Sequence, residues 1–201
     1  PGVLIAMLIV GGTLAWAGGI PLALALVFGA LIAATDPVSV LAIFRRLGAP
    51  KRLEVLLEAE SLFNDGTAIV LYNLALAGAL SGAFSVWDGV LDFLWVAAGG
   101  LALGLLLGWV TAQLLARVDD YLVETTLTTV VAFGSYLLAE QMLVSGVLAV
   151  LAAGLVTGSL GTRGMSPTTR IVVFNFWEYA AFLANSAIFL LIGLNIDLGL
   201  L

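Results

Sequence analysis

Long apolar segments without alternation fill this chain, and short polar stretches separate them. Seven segments approach the length of a membrane-crossing helix; they are Gly2 to Ala17, Ile20 to Phe44, Val55 to Leu80, Val90 to Ala116, Thr125 to Leu143, Ser145 to Leu160, and Ile171 to Ile196. In lipid every backbone polar group must be paired internally, and strands of a membrane barrel would alternate apolar and polar residues. The pattern therefore predicts an all-α polytopic bundle of about seven transmembrane helices.

The composition supports a membrane environment and narrows the chemistry. Hydrophobic residues make up 62% and charged residues 10% of the 201 positions, and the mean hydropathy is +1.18. The chain has no Cys and no His, which excludes disulfides, imidazole bases and the commonest zinc ligands. Any proton chemistry therefore depends on carboxylates.

The basic residues predict the orientation. All seven fall in or beside three loops; they are Arg45, Arg46, Lys51, Arg52, Arg117, Arg163 and Arg170. Because Lys and Arg are enriched on the cytoplasmic side, we expect a multi-pass protein of the cell membrane with loops 45–52, 117–124 and 161–170 in the cytoplasm.

A carboxylate and a proline interrupt the second apolar segment at Thr35-Asp36-Pro37. Proline lacks an N–H, and its ring clashes with the carbonyl four residues earlier, so we expect a broken helix in which Asp36 caps a half-helix that begins at Pro37. Such a break frees carbonyls at mid-membrane, as in ion transporters. The alternative is a simple proline kink.

The third segment carries a dense polar patch, with the sequence Glu58-Ala59-Glu60-Ser61-Leu62-Phe63-Asn64-Asp65-Gly66-Thr67. At 100° per residue, Asp65 lies about 40° from Ser61 and about 20° from Glu58 around the helix, so these three share a face. Asn64 lies beside that face. Glu60 points about 140° away from Asp65, so we expect it to meet a neighbouring helix.

Depth brings the two polar regions together. At about 1.5 Å per residue, Asp36 and Asp65 both lie roughly 12 to 15 Å from the cytoplasmic interface. With Asn64 and the hydroxyls of Thr35 and Ser61 they form an oxygen-rich set that suits a hard monovalent cation. A proton and a cation could compete for such carboxylates. The alternative is a buried carboxylate that only fixes helix packing.

Other polar positions carry weaker predictions. Glu140 lies near the end of its segment, and Asn185, on one face with Glu178, is expected to make an interhelical hydrogen bond. Several acidic residues fall at loops or segment ends and are expected to be solvated; they are Asp88, Asp92, Asp119, Asp120, Glu124 and Asp197. Gly99, Gly100, Gly104 and Gly108 form a small-residue stripe that predicts close helix packing.

The motifs Thr35-Asp36-Pro37 and Glu60-Ser61-Leu62-Phe63-Asn64-Asp65 resemble those of the first monovalent cation:proton antiporter family, the sodium/hydrogen exchanger type. The resemblance continues through stretches in the rest of the chain; these are residues 45–50, 144–150 and 182–189. It implies that Asp65 is the exchanged-ion carboxylate and Asn64 its partner, that Asp36, Thr35 and Ser61 complete the site, and that Glu60 is structural. It also implies electroneutral exchange and a homodimer.

Pro1 is not an initiator methionine and Leu201 closes an apolar stretch, so we expect residues 1–201 to be the middle fragment of a single antiporter domain. That fragment would hold ion-binding core helices and part of the dimerisation domain. The expected partners are sodium, lithium or potassium, protons and lipid, with no cofactor and no nucleic acid. The alternatives are a cation channel or ion-conducting subunit and a purely structural subunit; an enzyme is disfavoured because no nucleophile and base stand together.

Overall fold

The computed structural model of the chain describes residues 2–35, 37–81 and 86–195. Regular structure in these ranges is entirely helical. In chain order the helices are α1 (Gly2–Gly18), α2 (Leu22–Ala33), α3 (Val38–Leu47), α4 (Lys51–Ser81), α5 (Val86–Leu115), α6 (Tyr121–Gln141), α7 (Gly146–Val156), α8 (Thr162–Gly164) and α9 (Pro167–Asn195). A π-helical turn, Thr157–Gly161, joins α7 to α8. The predicted fold class, an all-α membrane bundle, is confirmed.

Five helical segments are long and apolar enough to cross a membrane within the described ranges; they are Leu22–Leu47, Trp87–Leu115, Tyr121–Gln141, Gly146–Gly164 and Pro167–Leu194. Each corresponds to one of the predicted spans. The first predicted span is α1, an apolar helix of 17 residues, and the third is the 31-residue α4, which contains the polar patch and is not among the five.

α1, α2 and α4 form one packed group. Backbone approaches backbone where α1 crosses α2, since a Cβ on Gly29 would lie 2.6 Å from the Met7 carbonyl oxygen. Apolar side chains of all three helices, among them Val3, Leu26 and Leu71, close the core between them. This group places the Thr35 carbonyl, which follows α2, against the middle of α4.

α5 and α7 form the second packed group, and α5 meets α7 through glycines. A Cβ on Gly100 would lie 2.5 Å from the Ser145 carbonyl oxygen, and one on Gly108 would lie 2.8 Å from that of Ala153. Between them, Gly104 lies directly against the Ala149 carbonyl. The predicted small-residue packing of this stripe is confirmed.

The second predicted span is divided, as the sequence indicated. α2 ends at Ala33, Ala34 is extended with ψ 138°, and Pro37 occupies the N-cap position of α3 with no side-chain cap bond. The half-helix therefore begins at Val38, one residue later than expected. The predicted capping role of Asp36 falls on a residue outside the described ranges.

A short connection joins α6 to α7. Ser145 caps α7, and its hydroxyl accepts a hydrogen bond of 3.2 Å from the Leu148 N–H. The Ser145 N–H itself donates to the Val96 carbonyl of α5 at 3.0 Å. This connection therefore fixes the start of α7 on the surface of α5.

Candidate ion-binding site

The candidate site lies where α4 crosses the interruption between α2 and α3. Ser61, on α4, is 6% exposed, and its hydroxyl donates a hydrogen bond to the backbone carbonyl of Thr35. That carbonyl follows the end of α2, where the helical hydrogen-bond ladder has stopped. The contact therefore joins the predicted broken segment to the predicted polar patch at one level.

Asp65 lies one helical turn after Ser61 and is half-buried. Its neighbour Gly66 is buried, and a Cβ there would lie 2.6 Å from the Leu148 side chain of α7. The close approach of α7 at this turn limits access to Asp65 from that side. α4 therefore holds its central carboxylate between the α2–α3 interruption and α7.

Asn64 and Glu60 form a pair on α4 itself. The Asn64 amide Nδ2 donates to Glu60 Oε1 at 3.4 Å, and four residues along a helix is the spacing at which side chains meet. Glu60 is exposed. The expected contact of Glu60 with a neighbouring helix stays a prediction.

The other predicted site residues are placed as follows. Thr35 contributes its backbone carbonyl, while its side chain is exposed. Glu58 is exposed although it shares a face with Asp65, because α3 covers little of the first turns of α4. Asp36 lies outside the described residues.

Asn185 lies on α9 and is exposed. The interhelical hydrogen bond expected of it is absent from the described part of the chain. α9 packs chiefly against α6 there, so the face that carries Asn185 has no helix opposite it among the described residues.

Oxygen atoms dominate this region of α4. Ser61, Asn64 and Asp65 bring a hydroxyl, an amide and a carboxylate to adjacent turns, and the interruption adds a backbone carbonyl. Hard cations prefer such ligands. Over the described ranges no group of three or more His, Cys, Asp or Glu side chains comes together.

One buried acidic residue was not foreseen. Glu124 was expected to be solvated at a segment end, but its side chain is 0% exposed, so that prediction is wrong. The sequence did hold a signal. Thr128 and Ser135 follow at helical spacing and are also buried, so a polar face runs along α6 from Glu124 inward.

Comparison with known proteins places the sequence in a family. The family model described as sodium/hydrogen exchanger, transmembrane, matches residues 1–201. The chain is 45% identical over 200 residues to the Na(+)/H(+) antiporter NhaG of Bacillus atrophaeus, covering 97% of this chain and 38% of that protein. It is 46% identical over 200 residues to the Na(+)/H(+) antiporter ApNhaP of Aphanothece halophytica, covering 98% and 38%.

A plant relative extends the comparison. Sodium/hydrogen exchanger 7 of Arabidopsis thaliana is 38% identical over 179 residues, covering 88% of this chain and 16% of that protein. The chain thus spans well under half the length of these curated relatives. The resemblance stated from the motifs is confirmed, and the chain belongs to the transmembrane sodium/hydrogen exchanger family.

Proposed function

We propose that the protein containing this chain exchanges sodium for protons across the cell membrane. The observation that carries the proposal is the half-buried Asp65 carboxylate on a membrane helix, one turn from a serine that meets the interruption between two half-helices. The relatives named as Na(+)/H(+) antiporters support the choice of ions.

The exchange rests on competition at one carboxylate. Asp65 binds either a proton or a cation, because both neutralise the charge of a carboxylate that is partly withdrawn from water. Ser61 fixes the Thr35 carbonyl near the site, and Asn64 adds an amide. Asp36 is included on the sequence argument alone.

Three residues play supporting roles in this proposal. Glu60 orients Asn64 through the 3.4 Å hydrogen bond. Glu58 adds negative charge on the approach to Asp65, since it lies exposed on the same face of α4. Asn185 is assigned an interhelical hydrogen bond from α9.

Net exchange further requires that the site open alternately to the two sides. We assign α2, α3 and α4 to the moving ion-binding core of a secondary active transporter, and part of the remaining helices to a static dimerisation domain of a homodimer. Loops 45–52, 117–124 and 161–170 are assigned to the cytoplasm. The proposed role is pH homeostasis without a cofactor, with lithium and potassium as further candidate ions.

The proposal is tested with protein expressed from its complete reading frame and reconstituted into proteoliposomes under a clamped membrane potential. Lumenal pH is followed after sodium addition. We expect wild type to move protons against sodium and Asp65→Asn to show only background movement. Asp92→Asn is the matched control, because Asp92 is an exposed carboxylate on α5 outside the proposed site.

Two results would contradict the proposal. Normal exchange by Asp65→Asn would show that Asp65 is not the exchanged-ion carboxylate. Sodium entry without proton movement would identify a cation channel, since a channel conducts without stoichiometric coupling.

A further inference from the structure

Glu124 is the most deeply buried carboxyl group among the described residues. It lies in the first turn of α6, its side chain is 0% exposed, and neither carboxyl oxygen makes a hydrogen bond in the described structure. The Thr169 hydroxyl and the Asp120 backbone face the carboxyl without reaching hydrogen-bond geometry. A buried polar group of this kind requires a physical explanation.

The charged groups that face Glu124 are themselves acidic; they are Asp119 and Asp120, at the start of α6. The basic residues of the neighbouring elements are directed elsewhere. Arg117, after α5, and Arg163, on α8, are exposed, and the Arg170 guanidinium of α9 donates to the Thr162 carbonyl at 2.6 Å. Glu178 of α9 is exposed. Within the described ranges, therefore, no cation neutralises Glu124.

An ionised carboxylate in this position is costly. Burial of an unpaired charge is strongly unfavourable, and the positive end of the α6 dipole offsets only a small part of that cost. Two neighbouring carboxylates add repulsion. A bound proton removes the charge and leaves a neutral carboxyl group, whose burial is far less unfavourable.

We propose that Glu124 is a proton-binding site, distinct from Asp65, that makes the contact between α6 and α9 sensitive to pH. The two carboxyls lie in different packing units, since α6 packs with α5, α7 and α9, whereas α4 packs chiefly with α2. The proposed effect of Glu124 on exchange rests on the proposed function, whereas the binding of a proton by Glu124 does not.

The structure around Glu124 shows what ionisation would disturb. One turn further along α6, the Thr128 hydroxyl accepts a hydrogen bond of 3.0 Å from Trp177 Nε1 of α9. Both residues line a cavity of about 300 Å³ between α6, the π-helical turn and α9. Thr157, on the same cavity, has a buried hydroxyl for which the described residues offer no hydrogen-bond partner. A charged Glu124 would draw water towards this space and loosen α9 from α6.

The proton is tested directly by infrared difference spectroscopy of the complete protein between acid and alkaline pH. We expect a protonated-carboxyl C=O band at neutral pH that shifts when glutamate is labelled with ¹³C at its side-chain carboxyl, which separates it from Asp65 and every other aspartate. The band should be lost in Glu124→Gln and kept in Asp92→Asn. If Glu124→Gln does not fold, Glu124→Asp replaces it: the band should then lose its sensitivity to glutamate labelling, because no labelled side chain remains at position 124.

The regulatory effect is tested by the pH profile of exchange in proteoliposomes, where Glu124→Gln should flatten the dependence on pH while retaining exchange. A band that is insensitive to glutamate labelling, or that survives in folded Glu124→Gln, would overturn the proton site. An unchanged pH profile would overturn the regulatory role. If wild type shows no exchange at all, the proposed function fails, while the infrared result still decides whether Glu124 holds a proton.

Discussion

The α5–α7 interface and the α4 crossing of the α2–α3 interruption hold helices together in opposite ways. At the first, Gly100 and Gly104 have no side chain, so the backbone of α7 lies directly on α5. At the second, the Ser61 hydroxyl donates a hydrogen bond to the Thr35 carbonyl, which lies beyond the end of α2. The glycines of the first interface contribute no polar side chain. The second interface contributes oxygen atoms that could bind a cation. One bundle can therefore contain a closely packed interface beside an interface whose polar groups could bind an ion.

The largest effect is expected from Gly104→Ala, which tests the rigid interface. The new methyl group would collide with the Ala149 carbonyl, and overpacking of this kind costs about 1–3 kcal/mol. The measurement is the midpoint of thermal unfolding in detergent. The change should lower the midpoint and reduce the yield of folded protein.

Gly89→Ala is the matched control on the same helix, because a Cβ at Gly89 would meet no atom within 4 Å. Alanine is favoured over glycine in a helix by about 1 kcal/mol, so this variant should be as stable as wild type or slightly more so. Equal destabilisation by the two changes would show that backbone contact is not what holds α5 to α7.

A smaller effect is expected from Ser61→Ala, which tests the other side of the comparison. It removes the donor to the Thr35 carbonyl, and a hydrogen bond of this type contributes about 1 kcal/mol. If the carbonyl is positioned for the ion, the sodium concentration that gives half-maximal exchange should rise about fivefold.

Thr67→Ala is the control for Ser61→Ala, since the Thr67 hydroxyl returns to the Phe63 carbonyl of its own helix at 2.7 Å. It should leave the sodium dependence nearly unchanged. A similar rise of the half-maximal sodium concentration in both variants would mean that the loss of any hydroxyl from α4 weakens sodium binding. The contact with the Thr35 carbonyl would then have no specific role.

The smallest effect is expected from Arg45→Gln. Arg45 Nε lies 3.6 Å from Glu54 Oε2 across the loop between α3 and α4, and its side chain is 67% exposed. Exposed ion pairs contribute roughly 0–1 kcal/mol, so unfolding and exchange should both stay close to wild type. A large loss would indicate that α3 is held to α4 by this pair and not by the contact at Thr35.

The helical architecture could be predicted from the sequence, because the length of an apolar segment and the effect of a proline on a helix are both local properties. The interruption follows from Pro37, and the close contact at Gly104 follows from a periodic absence of side chains. The sequence did not predict the pairing of Asn64 with Glu60. The Glu60 rotamer decides whether its carboxylate meets the next turn of α4 or a neighbouring helix, and a sequence does not specify that rotamer. The sequence analysis failed at Glu124 because it did not use the polar face that Glu124 shares with Thr128 and Ser135 on α6. That face indicates an inward direction, but the burial also depends on the start of α9, which lies far along the chain.

The polar middle of α4 also has a consequence for biogenesis. α4 is not among the segments that are apolar enough to cross a bilayer by themselves, yet it packs along α2 and places Ser61 on the Thr35 carbonyl. Polar residues inside lipid are stabilised by interhelical partners. α4 therefore gains its place in the membrane from helices synthesised before it, and insertion and tertiary folding of this region are one coupled process.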